Sequence, residues 1–154
     1  RRLPVLELDD GTIITESVAI CRYFEETNPE PPLFGTGALG RARVEEWQRR
    51  LELNLMMPVA HAFRHVHPAM KEWEVPQIAE WGEANKPKAL DFLALLDREL
   101  AGREFAAGDA YSIADITGLI AIDFMKPARI AVPEELAHVR RWHSALAARP
   151  SAAA

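Results

Sequence analysis

Residues 3–24, LPVLELDDGTIITESVAICRYF, decide the fold of the first part of the chain. The run from Leu3 to Leu8 is typical of a strand, and Asp9-Asp10-Gly11 is a tight-turn signal. Thr12-Ile13-Ile14 forms a second short β-branched run. The apolar residues that follow recur at helical spacing until Asn28-Pro29, which favours a helix end. This stretch therefore predicts a hairpin of two strands followed by one helix.

Two strands and one helix cannot bury both faces of a sheet, so this unit needs more chain around it. The sequence also opens with Arg1-Arg2 directly before a strand, without a start Met or a signal-peptide pattern. We therefore expect the sequence to begin in mid-domain.

The remainder of the sequence is predicted to be helical. Residues 28–37 contain three prolines and two glycines and are typical of a linker. A long helix should follow, kinked at Pro58, because apolar residues recur every three or four positions from Leu39 to Val66. The predicted division is 1–27 (α/β), 28–37 (linker) and 38–154 (all-helical bundle).

Three further helical segments complete the predicted bundle. Pro87 should kink or split the first of them. Residues 113–125 are apolar almost all round, with only Asp115 and Asp123 charged, which favours a helix buried at the centre. Pro133-Glu134-Glu135 is typical of the first turn of a last helix.

Composition excludes several classes of protein. The 154 residues are 49% hydrophobic with a net charge of −5, which is ordinary for a globular protein and unsuited to neutralising the phosphates of nucleic acid. No apolar run reaches the length of a membrane span. The single cysteine rules out an internal disulfide framework and favours a reducing cytoplasm.

The first unit contains a candidate ligand site. Pro4 lies inside a strand, where it removes a hydrogen-bond donor, and a cis peptide that turns backbone groups toward a ligand would accommodate it. Glu16 and Ser17 lie in the first turn of the helix, where free N–H groups attract anions. Together they could bind both ends of an α-amino acid. The alternative is an edge-strand proline beside an ordinary helix N-terminus.

The pattern Leu3-Pro4-Val5-Leu6, Asp10-Gly11, Glu16-Ser17-Val18-Ala19-Ile20 and Tyr23-Phe24 resembles the second half of the thioredoxin-like domain of cytosolic glutathione S-transferases. The resemblance implies that Pro4 is cis and that the backbone of Leu3 pairs with the cysteinyl part of glutathione. It also implies that Glu16 and Ser17 hold the γ-glutamyl group.

A second signature of the same family lies about 95 residues later. Ser112-Ile113-Ala114-Asp115 is a capping-box pattern, flanked by hydrophobic-staple positions at Tyr111 and Ile116 and preceded by Gly108. It resembles the family's folding motif at the start of the central helix, so we assign it a structural role.

The resemblance implies attack of glutathione thiolate on an electrophilic, mostly apolar small molecule, and a homodimer. Family members activate the thiol with a Tyr, Ser or Cys near the first strand or helix, and no residue here matches that position. The catalytic residue is therefore unknown, and we expect it upstream. Two alternatives stay open: a non-catalytic interaction module, and glutathione-dependent isomerisation, dehalogenation or disulfide reduction.

The long helix has a second apolar face, formed by Leu53, Met56, Met57, Ala60 and Phe63. This face has two possible roles. It could line the hydrophobic-substrate pocket, because Met-rich surfaces adapt to varied ligands, or it could pack against another domain or a partner subunit. The residues proposed for the pocket are Met56, Met57, Ala60 and Phe63.

Other chemistry-bearing residues are weaker candidates. Cys21 lies in an apolar helical stretch and is expected to be a buried, inert thiol. His61 and His65 have no nearby cysteine or carboxylate to complete a metal site, so no metal is predicted. Asp123 is expected to be a structural acceptor, with a place in the pocket as the alternative.

Overall fold

The computed structural model describes residues 3–152 and begins with the expected hairpin. Strand β1 (Val5–Glu7) pairs antiparallel with β2 (Ile13–Thr15), and helix α1 (Ser17–Thr27) follows. In the turn predicted at Asp9-Asp10-Gly11, Asp10 Oδ1 accepts the Thr12 N–H at 2.8 Å.

The rest of the described chain is helical, as predicted. Its elements are α2 (Gly37–Leu51), a π-helical turn (Glu52–Met56), α3 (Met57–Val66), α4 (Ala79–Leu100), α5 (Ile113–Asp123) and α6 (Ala137–Ala147), with short 3-10 turns at Pro68–Met70 and Pro150–Ala152. The fold class, a partial thioredoxin-like unit followed by a helical domain, is confirmed. The division at residues 27 and 37 stays a prediction.

The predicted irregularity at Pro58 takes the form of a π-helical turn. The Met57 N–H bonds the Glu52 carbonyl, five residues back, instead of the carbonyl four residues back. Pro58 has no N–H to continue the α-helical ladder, so a wide turn just before it absorbs the mismatch. Pro87, in contrast, lies inside α4 and does not split that helix.

The core of the bundle forms where the long helix, α4, α5 and α6 meet. Trp47 and Trp142 are its largest buried side chains. Aliphatic residues at helical spacing surround them, and each is fully buried or nearly so: Leu51, Leu55, Val59, Leu93, Leu96, Leu100, Val139 and Leu146. Burial of this apolar area is the main force that assembles the helices.

The last helix begins later than predicted. We expected Pro133 to open it, but α6 begins at Ala137. The carboxylate of Asp97, on α4, accepts the N–H groups of His138 and Val139 at 2.8 and 2.9 Å. These N–H groups have no partner within the first helical turn, so a residue 41 positions before His138 in sequence supplies the cap that the local sequence lacks.

The linker is hydrogen-bonded both to α1 and to the start of α5. The Glu25 carboxylate of α1 accepts the N–H groups of Leu33 and Phe34 at 2.8 and 2.9 Å, and the Leu33 carbonyl accepts the Ile113 N–H at 3.0 Å. These bonds connect α1 to the start of α5, and so they hold the first unit against the helical domain.

The capping box at the start of α5 is present. The Asp115 carboxylate accepts the Ser112 N–H at 2.9 Å and the Ser112 hydroxyl at 3.0 Å. Among the helices of residues 3–152, none has the length and apolar character needed to cross a membrane.

Candidate functional site

One cavity of about 870 Å³ brings together the two groups of residues that the sequence singled out. All eight predicted residues line it: Leu3, Pro4, Glu16, Ser17, Met56, Met57, Ala60 and Phe63. The first four come from the hairpin unit and the last four from the π-helical turn and α3. Their individual binding roles stay predictions.

The polar end of the cavity is formed at the start of α1. Glu16 has φ 70°, an uncommon left-handed conformation for a non-glycine residue, and such strain concentrates at ligand sites. Its side chain makes no capping bond to α1, so the carboxylate is available to a ligand. Ser17 follows as the first helical residue, and the Leu3–Pro4 peptide is cis, as predicted.

The apolar wall is formed by α3 and by one side of α5. The rings of Phe63 and Phe124 lie 4.9 Å apart between centroids. Ile120 and Phe124 line the cavity, and Ile120 is 52% exposed. The expectation that α5 is buried all round is therefore wrong on this side, where it faces the cavity and not another helix.

Five lining residues were missed by sequence reasoning. They are Thr15, Arg64, Met70, Ile120 and Phe124. The apolar positions on the outer side of α5 were a signal for the last two, because a helix that is apolar all round needs a neighbour on every side. For Arg64 and Met70 the sequence carries no comparable signal.

Met57 also borders a second, shallower groove of about 510 Å³ between α3 and α4. Leu53, 52% exposed, and Trp81 lie along this groove. Both predicted roles of the second face of the long helix, a pocket wall and a docking surface, are therefore compatible with the structure.

The two histidines of α3, His61 and His65, contact different parts of the structure. His65 Nδ1 accepts the Ile78 N–H at 3.1 Å, and His61 lies beside the Trp81 ring. Burial lowers the pKa of His61, and the neighbouring charges of His65 and Arg64 lower it further. Over residues 3–152 no three His, Cys, Asp or Glu side chains are grouped as a metal site would need.

Two other sequence expectations have clear outcomes. Cys21 is exposed, so the expectation of a buried thiol is wrong. The described neighbours of α1 contact Val18, Arg22 and Glu25 and leave Cys21 open. Asp123 Oδ1 lies within hydrogen-bond distance of His143 Nε2, at 2.7 Å, and Asp123 is not among the residues that line the cavity. Both observations agree with a structural role.

Comparison with known proteins identifies the family. The model of the glutathione S-transferase C-terminal domain matches residues 50–150, and that of the glutathione S-transferase N-terminal domain matches residues 1–32. The chain is 38% identical over 150 residues to glutathione S-transferase 2 of Saccharomyces cerevisiae, covering 97% of this chain and 64% of the yeast protein's length.

Solved structures agree with the sequence match. A crystal structure of Gtt2 from Saccharomyces cerevisiae superposes with a TM-score of 0.94 at 37% identity, covering 99% of this chain and 74% of that one. A glutathione S-transferase of class Gtt2 from Vibrio parahaemolyticus gives a TM-score of 0.87 at 40% identity, covering 98% and 71%. The sequence motifs, the fold and these matches together show that the chain belongs to the glutathione S-transferase family.

Proposed function

We propose that the protein conjugates the thiolate of glutathione to hydrophobic, electrophilic small molecules. The observation that carries this proposal is that one cavity joins a polar end, at Glu16 and Ser17, to an apolar wall on α3 and α5. Conjugation needs a peptide and an apolar electrophile side by side, and a site of this composition accommodates both.

The polar end suits the γ-glutamyl group of glutathione. The carboxylate of Glu16 would pair with the ammonium group, and the Ser17 hydroxyl with the free N–H groups of the first turn of α1 would bind the carboxylate. The backbone of Leu3, turned by the cis bond to Pro4, would pair with the cysteinyl unit. The thiolate then attacks the electrophilic carbon, a C–S bond forms, and a leaving group such as chloride departs with the electron pair.

The proposal is tested by calorimetry with glutathione and by a conjugation assay on a reactive aryl chloride, using the full protein. Loss of one charge-assisted contact in Ser17→Ala should weaken glutathione binding by about ten-fold. Ser144→Ala, an exposed serine on α6, is the matched control and should bind like the parent.

Two other experimental outcomes would favour the alternative functions. Absence of saturable glutathione binding in the parent would contradict the proposal and favour the interaction-module alternative. Binding without formation of a conjugate, together with isomerised, dehalogenated or reduced product, would favour the other glutathione-dependent reactions.

We also propose a cytoplasmic homodimer. The exposed apolar residues Leu53, Met57 and Trp81 along the second groove support an interface there, and the single cysteine supports the location. Sedimentation should give one species at twice the mass of the chain. A monomer at micromolar concentration would contradict the dimer.

A further inference from the structure

We infer that Arg64 makes the cavity selective for electrophiles that carry an acidic group. This inference rests on the proposed function, since it concerns the second substrate of the same site. Arg64 lines the cavity, and the residue is half-buried. Glu16 is the only other charged residue among the lining residues that the structure describes.

Arg64 lies on α3, the helix that forms part of the apolar wall. Met57, Ala60 and Arg64 are spaced by three and four residues on α3, so they share one face of that helix. Arg64 lies seven positions after Met57 on α3, a rise of roughly 10 Å along the helix axis. Arg64 therefore lies at the C-terminal end of the part of α3 that lines the cavity, and the other residues that α3 contributes to the lining are apolar. Met70 is a further residue of the cavity lining.

Arg64 has no protein counter-ion within the described residues. Five other arginines each have a carboxylate oxygen within 4.0 Å: Arg22, Arg43, Arg49, Arg50 and Arg103. The other described arginines without such a pair are exposed to solvent, apart from Arg149, which lies over the Tyr111 ring. No such pair involves Arg64 among residues 3–152, and Glu16 in particular is not within that distance. A half-buried arginine without a carboxylate partner favours an anionic ligand.

Arg64 is also not used to cap its helix. It lies in the last turn of α3, where a basic side chain could bond the free carbonyls. That role is taken by Gln77, whose Nε2 donates to the Arg64 carbonyl at 2.7 Å and to the His67 carbonyl at 3.0 Å. Gln77 thus fixes the backbone at Arg64 and leaves its guanidinium free.

A carboxylate or sulfonate on an aromatic electrophile fits this arrangement. Its ring would contact the wall formed by Phe63 and Phe124, and its acid group would take two parallel hydrogen bonds from Arg64. The apolar surroundings strengthen such a pair relative to water. The γ-glutamyl carboxylate of glutathione has its own donors at Ser17, which leaves Arg64 to the second substrate.

The first experiment measures binding without catalysis. An anilinonaphthalene sulfonate and the neutral phenylnaphthylamine with the same rings are titrated by fluorescence into the full parent protein, Arg64→Gln and Lys88→Gln. Lys88 lines the neighbouring groove, so its variant removes the same charge elsewhere. We expect Arg64→Gln alone to weaken the anionic dye about ten-fold and to leave the neutral dye unchanged. Equal effects of both variants, or none, would overturn the inference.

The second experiment measures catalysis on a matched pair of electrophiles, a chlorodinitrobenzoate and the corresponding chlorodinitrobenzamide. Arg64→Gln should lower kcat/KM for the benzoate about ten-fold or more, and leave the benzamide and the KM for glutathione unchanged. If the KM for glutathione rises while the two electrophiles are affected equally, Arg64 holds a carboxylate of glutathione and the inference is wrong. If the parent conjugates neither electrophile, the proposed function fails, and the dye titration still decides the role of Arg64.

Discussion

The indole Nε1 of Trp142 donates a hydrogen bond to Oδ1 of Asp115 at 2.9 Å, and both side chains are buried. The same oxygen accepts the Ala106 N–H at 2.8 Å, while Oδ2 accepts both the Ser112 N–H and the Ser112 hydroxyl. Asp115 therefore connects the start of α5 both to α6 and to Ala106, in the loop that precedes α5. The capping box is thus part of a tertiary contact as well as a local one.

Replacing this indole should destabilise the protein. Trp142→Phe removes one donor from the buried carboxylate and leaves space beside it, which should cost about 2 kcal/mol or more in free energy of unfolding. Urea denaturation measures the loss. Trp73→Phe is the control, because Trp73 is 81% exposed, and it should unfold like the parent. Equal midpoints for the two variants would show that the Trp142 bond adds nothing.

The charge of Asp115 should make stability depend on pH. Burial raises the pKa of this carboxyl, and that effect exceeds the opposing hydrogen bonds from Ala106, Trp142 and Ser112. The folded state then holds the proton more tightly than the unfolded state. Its contribution to stability is complete below the unfolded pKa and is lost as pH rises through the folded pKa.

A comparison with Asp115→Asn isolates this contribution, because asparagine does not titrate. The stability difference in favour of the parent should be greatest near pH 4 and should shrink as pH rises toward neutrality. Chemical denaturation of both proteins across this range measures it. A difference that grows with pH would show that the hydrogen bonds to the ionised form outweigh burial.

Close packing of α5 against α6 depends on Gly118. A Cβ at this position would overlap the outer edge of the Trp142 ring. Gly118→Ala should therefore destabilise the protein by about 1–3 kcal/mol, in spite of the better helix propensity of alanine. Thermal melting measures the effect against Gly102→Ala, where a Cβ meets no atom within 4 Å. A Gly118→Ala variant as stable as that control would mean that the indole shifts without cost.

The cap on α6 should be equally sensitive. Asp97→Ala leaves the His138 and Val139 N–H groups without their acceptor, at a cost of about 1–2 kcal/mol. Asp91→Ala is the control on the same helix, since Asp91 is exposed and no described hydrogen bond involves its side chain. Hydrogen exchange should show faster opening of the first turn of α6 only in Asp97→Ala. Unchanged exchange would contradict the capping role.

The local sequence was sufficient to predict the structure where the stabilising contacts join residues that are close together in the chain. The hairpin at Asp10-Gly11, the end of α1 at Asn28 and the capping box at Ser112 depend on bonds between residues no more than four apart. Helical spacing also predicted the core residues, because the apolar face of a helix packs against the rest of the protein.

Tertiary structure decided what depends on residues far apart in sequence. Glu16 and Ser17 share a cavity with Met56 and Phe63 only because the bundle folds back against the hairpin unit. The α6 cap comes from Asp97, and Arg64 reaches the cavity because of the face on which α3 packs. Periodicity shows that a helix has an apolar side, but the identity of its neighbour depends on how all the helices fit together.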